Sequence, residues 1–591
     1  MTTTRFAISA LTAAVVHAAP ALALQVGPPL FQSDTSLLPN NLPVVLLSDG
    51  RLAAVVRPTP VSSDELAVMT RGGVIERSWT QQQVGFSPEL LAPLSDGGFV
   101  VTGFAGGFGG GTHRFRIYNA DGTARTPDAI DIAGGGLQEG HRTVNVLPGG
   151  RFIYLWDSSV QSQVFSTPFG EAPDIGPIYP APFNQWGRDI YARIFRSADG
   201  SPAPNAQSPA GDAWVVTQGI YENDPALPGV RWDTRIEEQW LLDADVTAAG
   251  TLRVTYQGPR WFGASPVWGR HFFGLFRGLG ADGAQFIAEE PLSQQAPISD
   301  SNMQNTGFLS RTVALANGRL ACLYDEGHVG AGPPRLMLRY FEESGRPVDN
   351  GPREPSGEPF GRAIPLFAFA TPDSVRSLFA FPAAGASFVV FFCATPEGGD
   401  PGGPRQAVAA VVDGAGRVAR TATIAAGPKN QVIHWVAPGL PGEWFVSLTE
   451  GTRAVANEGG ASHRIIRVHD PLVPWAMAAG VPLAQAAAID DPDGDDIANL
   501  LERAIGAAPM LASPPPIDVT IEAARHVLRF RRDTRAAAEG ITVELETSED
   551  AAMWSSTASL ESVVETSDGV QTVQVSVPLH ARGFVRLKAR Q

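Results

Sequence analysis

"LLSDGRLAAVV" (residues 46–56) joins one apolar run to another through Asp49 and Gly50. An Asp-Gly pair between strand-like runs is a strong hairpin signal, because the tight turn that suits strand twist needs the positive φ that Gly adopts without steric cost. The phrase returns as "PLSDGGFVVTG" (93–103), "VLPGGRFIYLW" (146–156), "ALANGRLACLY" (314–324) and "FPAAGASFVVFF" (381–392). A second phrase, again strand then Gly turn, follows each: "RFRIYNADG" (114–122), "YARIFRSADG" (191–200), "FGLFRGLGADG" (273–283), "LMLRYFEESG" (336–345) and "QAVAAVVDGAG" (406–416). Two hairpin turns per unit build a four-stranded antiparallel sheet, and units repeating at roughly 50 to 80 residues predict a β-propeller.

Less regular units at "GDAWVVTQGI" (211–220) and "EWFVSLTE" (443–450) bring the expectation to seven blades over 37–470, with six or eight still open. The same hairpins could build a string of two-sheet sandwiches. Regular spacing and the want of long helical patterns favour the propeller. Its closure needs an early and a late segment in one sheet, since otherwise an open edge remains.

The opening "MTTTRFAISALTAAVVHAAPALALQ" carries one cation, Arg5, an apolar stretch from Phe6 and the small-residue pattern Ala21-Leu22-Ala23. That is the pattern of a secretory signal, expected to be removed after residue 23. Ser9, Thr12, His17 and Pro20 interrupt the run, which falls short of the roughly 20 apolar residues a membrane span needs. No later segment reaches that length, so the mature chain is expected without a span, secreted, periplasmic or at the cell surface, and monomeric. Sixty acids against 44 bases give a net charge of −16 with no basic block, which excludes nucleic acid as the expected partner. The two cysteines, Cys322 and Cys393, lie in apolar strand-like runs, where a disulfide and two buried thiols are equally expected.

After residue 470 the composition changes. Residues 471–489 read as a Pro/Ala-rich connector, 490–506 as an acidic loop with a short helix, 507–516 as a Pro-rich spacer, and 517–591 as a small β-sandwich-like module with period-two strands. Residues 24–36 are left as a separate N-terminal segment. Few contacts are expected to cross such a connector.

The loop "DDPDGDDIANLLE" (490–502) packs six acids into thirteen positions. Counted from Asp491, oxygen-bearing side chains fall at positions 1 (Asp491), 3 (Asp493), 5 (Asp495), 9 (Asn499) and 12 (Glu502), with the backbone carbonyl of Ile497 at position 7. This is the ligand spacing of the twelve-residue Ca2+ loop: a hard cation takes six to eight oxygens, and a curled chain offers alternate side chains to it. Asp496 stands where the loop usually has Gly, which is expected to weaken affinity. The alternative is a helix cap by Asp495 and Asp496 with the other acids in solvent. It leaves the regular ligand spacing without a reason.

"DPDGDDIANLLERAIGAAP", the Pro-rich spacer and "ITVELETSEDAAMW" resemble the C-terminal tail of large secreted bacterial proteins, in which a thrombospondin-type-3-like or dockerin-like calcium loop precedes a small β-domain. The resemblance covers roughly the last hundred residues. A dockerin has two such loops and this chain has one, so docking to a cellulosome is not implied.

Seven residues after Gly50, Gly97, Gly150, Gly318 and Gly385 come Arg57, Phe104, Asp157, Asp325 and Phe392, of which Arg57, Asp157 and Asp325 are the ligand-face candidates. If each Gly turn joins the first two strands of a blade, these residues mark the second strand's exit at the other end of the disc, where long loops gather and recognition is expected. Trp186, Trp261 and Trp268 are further ligand-face candidates, suited to stacking on sugars or peptide side chains, or to plugging gaps between blades. Asp157, Asp325 and Glu326 would be the paired carboxylates of a propeller-type glycoside hydrolase or lyase. No G-x-S-x-G, H-E-x-x-H or clustered-histidine motif is present. The leading expectation is a non-catalytic binding protein for a carbohydrate or protein ligand, and a structural adhesion component is the third.

Overall fold

The computed structural model describes residues 24–35, 42–58, 63–106, 112–132, 142–158, 189–204, 208–215, 240–246, 252–262, 265–277, 285–291, 310–326, 335–342, 348, 364–370, 377–395, 403–451, 461–487, 490–495, 497–513, 516–522, 525–539, 541–548, 553–557, 560–578 and 584–590. The expected signal at 1–23 lies outside them.

Seven four-stranded antiparallel sheets follow one another along the chain. The first blade holds Val44–Leu46, Leu52–Val56, Glu65–Met69 and Ile75–Trp79; the second Ser87–Pro93, Phe99–Ala105, Thr112–Tyr118 and Ile130–Asp131. The third holds Arg142–Leu147, Arg151–Ser158, Asp189–Arg196 and Trp214–Val215; the fourth Trp240–Val246, Leu252–Phe262, Ser265–Arg277 and Gln285–Pro291. Ser310–Ala314, Arg319–Glu326, Arg335–Glu342 and Ile364–Ala368 form the fifth, and Ser377–Pro382, Phe388–Ala394, Gln406–Val412 and Val418–Ala425 the sixth. The seventh is built from Asn430–Pro438, Glu443–Gly451 and Ala461–His469, with the N-terminal strand Gln25–Thr35 as its outermost member. First strands of successive blades lie side by side, and that of the seventh lies beside that of the first. The described residues from 25 to 469 form a β-propeller of seven blades.

Two sequence expectations are corrected here. Residues 24–36, set apart as a separate segment, supply a strand that pairs antiparallel with 461–469, from Gln25 opposite His469 to Thr35 opposite Ala461. Within the stretch 211–220, counted as a unit, the described residues 211–215 supply the short last strand of the third blade, Trp214–Val215, and 216–220 lie outside the described residues. The fourth blade begins at Trp240.

Among the described residues the glycine phrases do as expected; the turns at Gly283 and Gly345 lie outside them. Gly50, Gly97, Gly150, Gly318 and Gly385 have φ between +64° and +90° and each lies between the first and second strands of its blade. Gly73, Gly122, Gly200 and Gly416 lie between third and fourth strands. Antiparallel order puts both sets at one end of the disc. The second-to-third and blade-to-blade connections run at the other.

The cores sit between blades. Ala53 and Val55 face the second blade, packing with Leu91, Phe99 and Val101, while Leu52, Ala54 and Val56 face the seventh, with Phe445 and Ile465. Both faces of an inner strand are therefore buried, so "LAAVV" and "FVVFFCA" are continuous apolar runs instead of alternating ones. Each large aliphatic side chain so buried contributes about 1.5–3 kcal/mol. Cys322 and Cys393 are free, buried thiols in the fifth and sixth blades, and the disulfide alternative is not realised. Cys393 Sγ accepts the Ile433 N–H at 3.2 Å and Cys322 lies 3.6 Å from the Thr312 hydroxyl. Burial pushes both thiols up to about 12.

Beyond the propeller, Ile517–Glu522, Arg525–Asp533, Val570–Pro578 and Glu561–Ser567 form one sheet, and Ser555–Ser556, Thr542–Ser548 and Phe584–Arg590 a second. Their core, with Leu528, Phe530, Leu545 and Val573, takes in Leu501, Ala504 and Ile505 of the helix Asn499–Ile505. The connector is not a loose tether, against expectation. It contains a helix, Leu472–Ala478, and small apolar residues let it lie flat on the blades: Ala384 of the sixth packs with Val473, Ala476, Val481 and Ala486. Gly385 N–H donates to the Leu483 carbonyl at 3.1 Å, and the buried Arg420–Asp470 pair closes at 2.7 Å. Gln25 Nε2 reaches the Glu539 carbonyl of the module at 3.0 Å. The module is thus mounted at the short-turn end, beside the sixth and seventh blades. Among the described residues no helix is long and apolar enough to cross a membrane.

Candidate metal centre

The acidic run lies between the connector and the helix Asn499–Ile505. Gly494, with φ +77°, turns the chain so that Asp491, Asp493 and Asp495 face inward together. One carboxylate oxygen from each comes within 4.8 Å of the others. Asp491 Oδ1 accepts the N–H groups of Gly494 at 2.9 Å and Asp495 at 3.2 Å, and Asp493 Oδ1 also accepts from Asp495, at 3.3 Å. Asp495 Oδ1 takes the Ile497 N–H at 2.8 Å and its Oδ2 the Ser513 N–H at 2.6 Å. The backbone therefore holds the three side chains in place.

The helix supplies the rest. Glu502 is fully buried, and neither of its carboxylate oxygens has a hydrogen-bond partner. Burial, and then the charges of Asp493, Asp495 and Asp491, push its carboxyl up to about 8. Asn499 is fully buried too. Its Nδ2 donates to the carbonyls of Gln485 at 2.8 Å and Ala487 at 3.0 Å, which leaves Oδ1 buried and unpartnered. Asp493 Oδ2 is in the same condition, and burial with the neighbouring Asp495 raises that carboxyl. Ile497 puts its side chain into the module's core, with its carbonyl at the seventh position of the loop. Asp496 lies outside the described residues.

Four buried oxygens without partners beside clustered carboxylates would each cost on the order of 1–3 kcal/mol, and more where charged, with nothing to satisfy them. A cation removes the cost and the repulsion together. The donors are all oxygen, with no His or Cys, which suits a hard cation, and their number and loop spacing suit calcium. The helix-cap alternative fits poorly: the N-cap position is Ala498, with no side-chain cap, and Asp495 spends its oxygens on Ile497 and Ser513. Sequence reasoning missed Asp490, whose carbonyl accepts the Asn499 N–H at 2.9 Å and whose Oδ2 accepts the Ala487 N–H at 2.9 Å. It also missed Ser513. Neither has a spacing signal: Asp490 holds the loop through its carbonyl and through Oδ2 on the Ala487 N–H, and Ser513 through its backbone N–H.

The ligand-face candidates fare differently. Arg57, Asp157 and Asp325 each stand at a second strand's exit, on the same end of their blades, away from the glycine turns. All three are buried, not exposed as a strand-end reading expects. Arg57 pairs with Asp64 at 2.7 Å inside its own blade, and its carbonyl accepts the Ser33 hydroxyl at 2.6 Å. Asp157 and Asp325 belong to the third and fifth blades. Trp186 and the side chains of Trp261, Trp268 and Glu326 lie outside the described residues.

No family model matches the sequence, and no curated sequence relative is found. Among solved structures the chain is similar to a mutant of Trypanosoma rangeli sialidase displaying trans-sialidase activity, at 10% identity over 94% of this chain and 96% of that one, TM-score 0.38. It is similar also to a protein of unknown function from Dyadobacter fermentans (8% identity, 75% and 99% covered, TM-score 0.30). A third is an α-L-arabinofuranosidase from Fusarium graminearum (8%, 76% and 98%, TM-score 0.31). These are weak likenesses of overall form and bear on neither ligand nor reaction.

Proposed function

We propose that the protein is an exported recognition protein: the propeller presents its loop-rich end to a carbohydrate or protein ligand, and a calcium ion fixes the C-terminal module at the opposite end. The observation that carries the reading is Glu502, fully buried, unpartnered at both oxygens and set against three aspartates. Mounting the module at the short-turn end leaves the long connections for a ligand, as scaffolds usually arrange. Export rests on the opening 23 residues, and the thrombospondin-type-3-like or dockerin-like resemblance of the loop agrees with it.

Calorimetric titration tests the metal. One calcium per chain is expected to bind, with a dissociation constant of ~0.1 to 1 mM, the range of extracellular modules. Glu502→Gln keeps the shape and removes the charge, and is expected to weaken binding at least about tenfold, since loss of a charged ligand removes more than about 1.4 kcal/mol. No heat with the wild-type chain, or equal binding by Glu502→Gln, would reject the centre.

A further inference from the structure

The innermost strands of a propeller border its central channel. At one level of that channel six blades contribute a polar or aromatic residue: Glu89, Arg142, Asp243, Arg311, Phe379 and Trp435, from the second to the seventh blade in turn. Five of them stand at matching depth, six to eight residues before the turn glycines Gly97, Gly150, Gly318, Gly385 and Gly442, toward the loop-rich end.

They touch across blade boundaries. Arg142 pairs with Glu89, and Arg311 with Asp243 at 3.5 Å. The Arg311 guanidinium also lies 5.1 Å from the centre of the Phe379 ring, which is 6.1 Å from that of Trp435. Trp435 packs against the core shared by the first and seventh blades and also against that shared by the second and third. Its side chain therefore extends from the seventh blade toward the second and third. The four charged side chains each stay 17–23% exposed, although they sit on the innermost strands.

The backbone is irregular at this same level. Register shifts fall between Pro88 and Leu90, between Leu241 and Asp243, and between Ile433 and Trp435. A bulge costs ladder bonds and re-aims a side chain, and bulges gather beside functional sites. Glu89 is itself the extra residue of the first. His434 is that of the third, next to Trp435, and its Nε2 lies 2.8 Å from the Thr449 hydroxyl.

We propose that this ring is the ligand site of the propeller and takes a neutral oligosaccharide, entered from the loop-rich end. The proposal rests on the recognition reading above and names its site and ligand class. Two carboxylates and two guanidiniums sum to no charge, so the ring selects hydroxyls and not an ion, and the chain's net charge of −16 disfavours polyanions. Paired acids and arginines offer fixed acceptors and donors to sugar hydroxyls. Trp435 and Phe379 offer apolar faces to the C–H side of a pyranose.

The test uses the full chain with saturating calcium, and neutral hexasaccharides of glucose, mannose and xylose, with a uronate hexasaccharide as the charged control. At least one neutral sugar is expected to bind and the uronate not to. Trp435→Ala and Phe379→Leu are each expected to weaken binding by about tenfold or more, the loss of an aromatic face. Should Trp435→Ala not fold, Phe379→Leu and Glu89→Gln carry the same expectation with side-chain volume nearly kept. Variants that bind like the wild type while their thermal midpoints fall would make the ring a set of blade staples and overturn the site alone. A wild-type chain that binds protein from its surroundings but no sugar would overturn the ligand class; one that binds nothing would overturn the recognition reading with it.

Discussion

A chain lacking residues 24–35 is expected not to fold. The missing strand pairs along the whole of Ala461–His469, and without it that edge stands open on a seventh blade reduced to three strands. Apolar cover goes too. Leu30 and Phe31 pack on the core between the first and seventh blades, Leu24 on that between the sixth and seventh, and the Phe31 ring lies 5.4 Å from the buried His463. Losing several such side chains at about 1.5–3 kcal/mol each removes a large part of a typical net stability of 5–15 kcal/mol. Gly73→Ala is the milder form of the same experiment. At φ +87° a Cβ there would come 1.8 Å from the Leu30 carbonyl oxygen, pushing the strand off, with an expected loss of about 2–3 kcal/mol. Soluble yield and circular dichroism melting read both. A truncated chain that melts cooperatively near the wild-type midpoint would show that the strand is an accessory.

Chelation of calcium is expected to act well beyond the loop. In the proposed centre Asn499 would offer its unpartnered Oδ1 to the ion, while its amide clamps the carbonyls of Gln485 and Ala487, in the stretch of connector that lies on the Gly385 turn. Without an ion, Asp491, Asp493 and Asp495 would repel one another and Glu502 would stay buried without a partner, which would let this stretch lift. At calcium a hundredfold above the dissociation constant the ion contributes about 2.7 kcal/mol. Chelator should therefore speed protease cleavage at 490–505, and should also raise amide exchange at Gly385, whose N–H is held by the Leu483 carbonyl. Exchange on the far side of the disc, at Val101 or Leu155, should stay as it was. Unchanged exchange at Gly385 with faster cleavage at 490–505 would confine the effect to the loop. No change in either would leave the loop without a metal.

What the sequence made legible follows from where each signal lies. Turn glycines and the runs between them are local, so the blade plan was readable at Gly50, Gly97, Gly150, Gly318 and Gly385. The clustering of Asp491, Asp493 and Asp495 was readable for the same reason, these residues being close neighbours in the chain. The N-terminal strand was not: Pro28 and Pro29 argue against a strand, and are tolerated because this one lies at a sheet edge, with a register shift at Pro29. Its partner is over four hundred residues away. Arg57, Asp157 and Asp325 kept their place at the strand exits but not their exposure, since burial depends on neighbouring blades. The channel ring takes single residues from six blades, and nothing in the chain marks Glu89 or Trp435 until bulges and blade closure bring them to one level.

The most direct test of the account is an anomalous difference map from crystals of the full chain grown with calcium. The expected result is one ion within about 2.3–2.6 Å of oxygens from Asp491, Asp493, Asp495, Asn499 and Glu502 and of the Ile497 carbonyl. A map with no peak there at millimolar calcium, and Glu502 still buried, would contradict it.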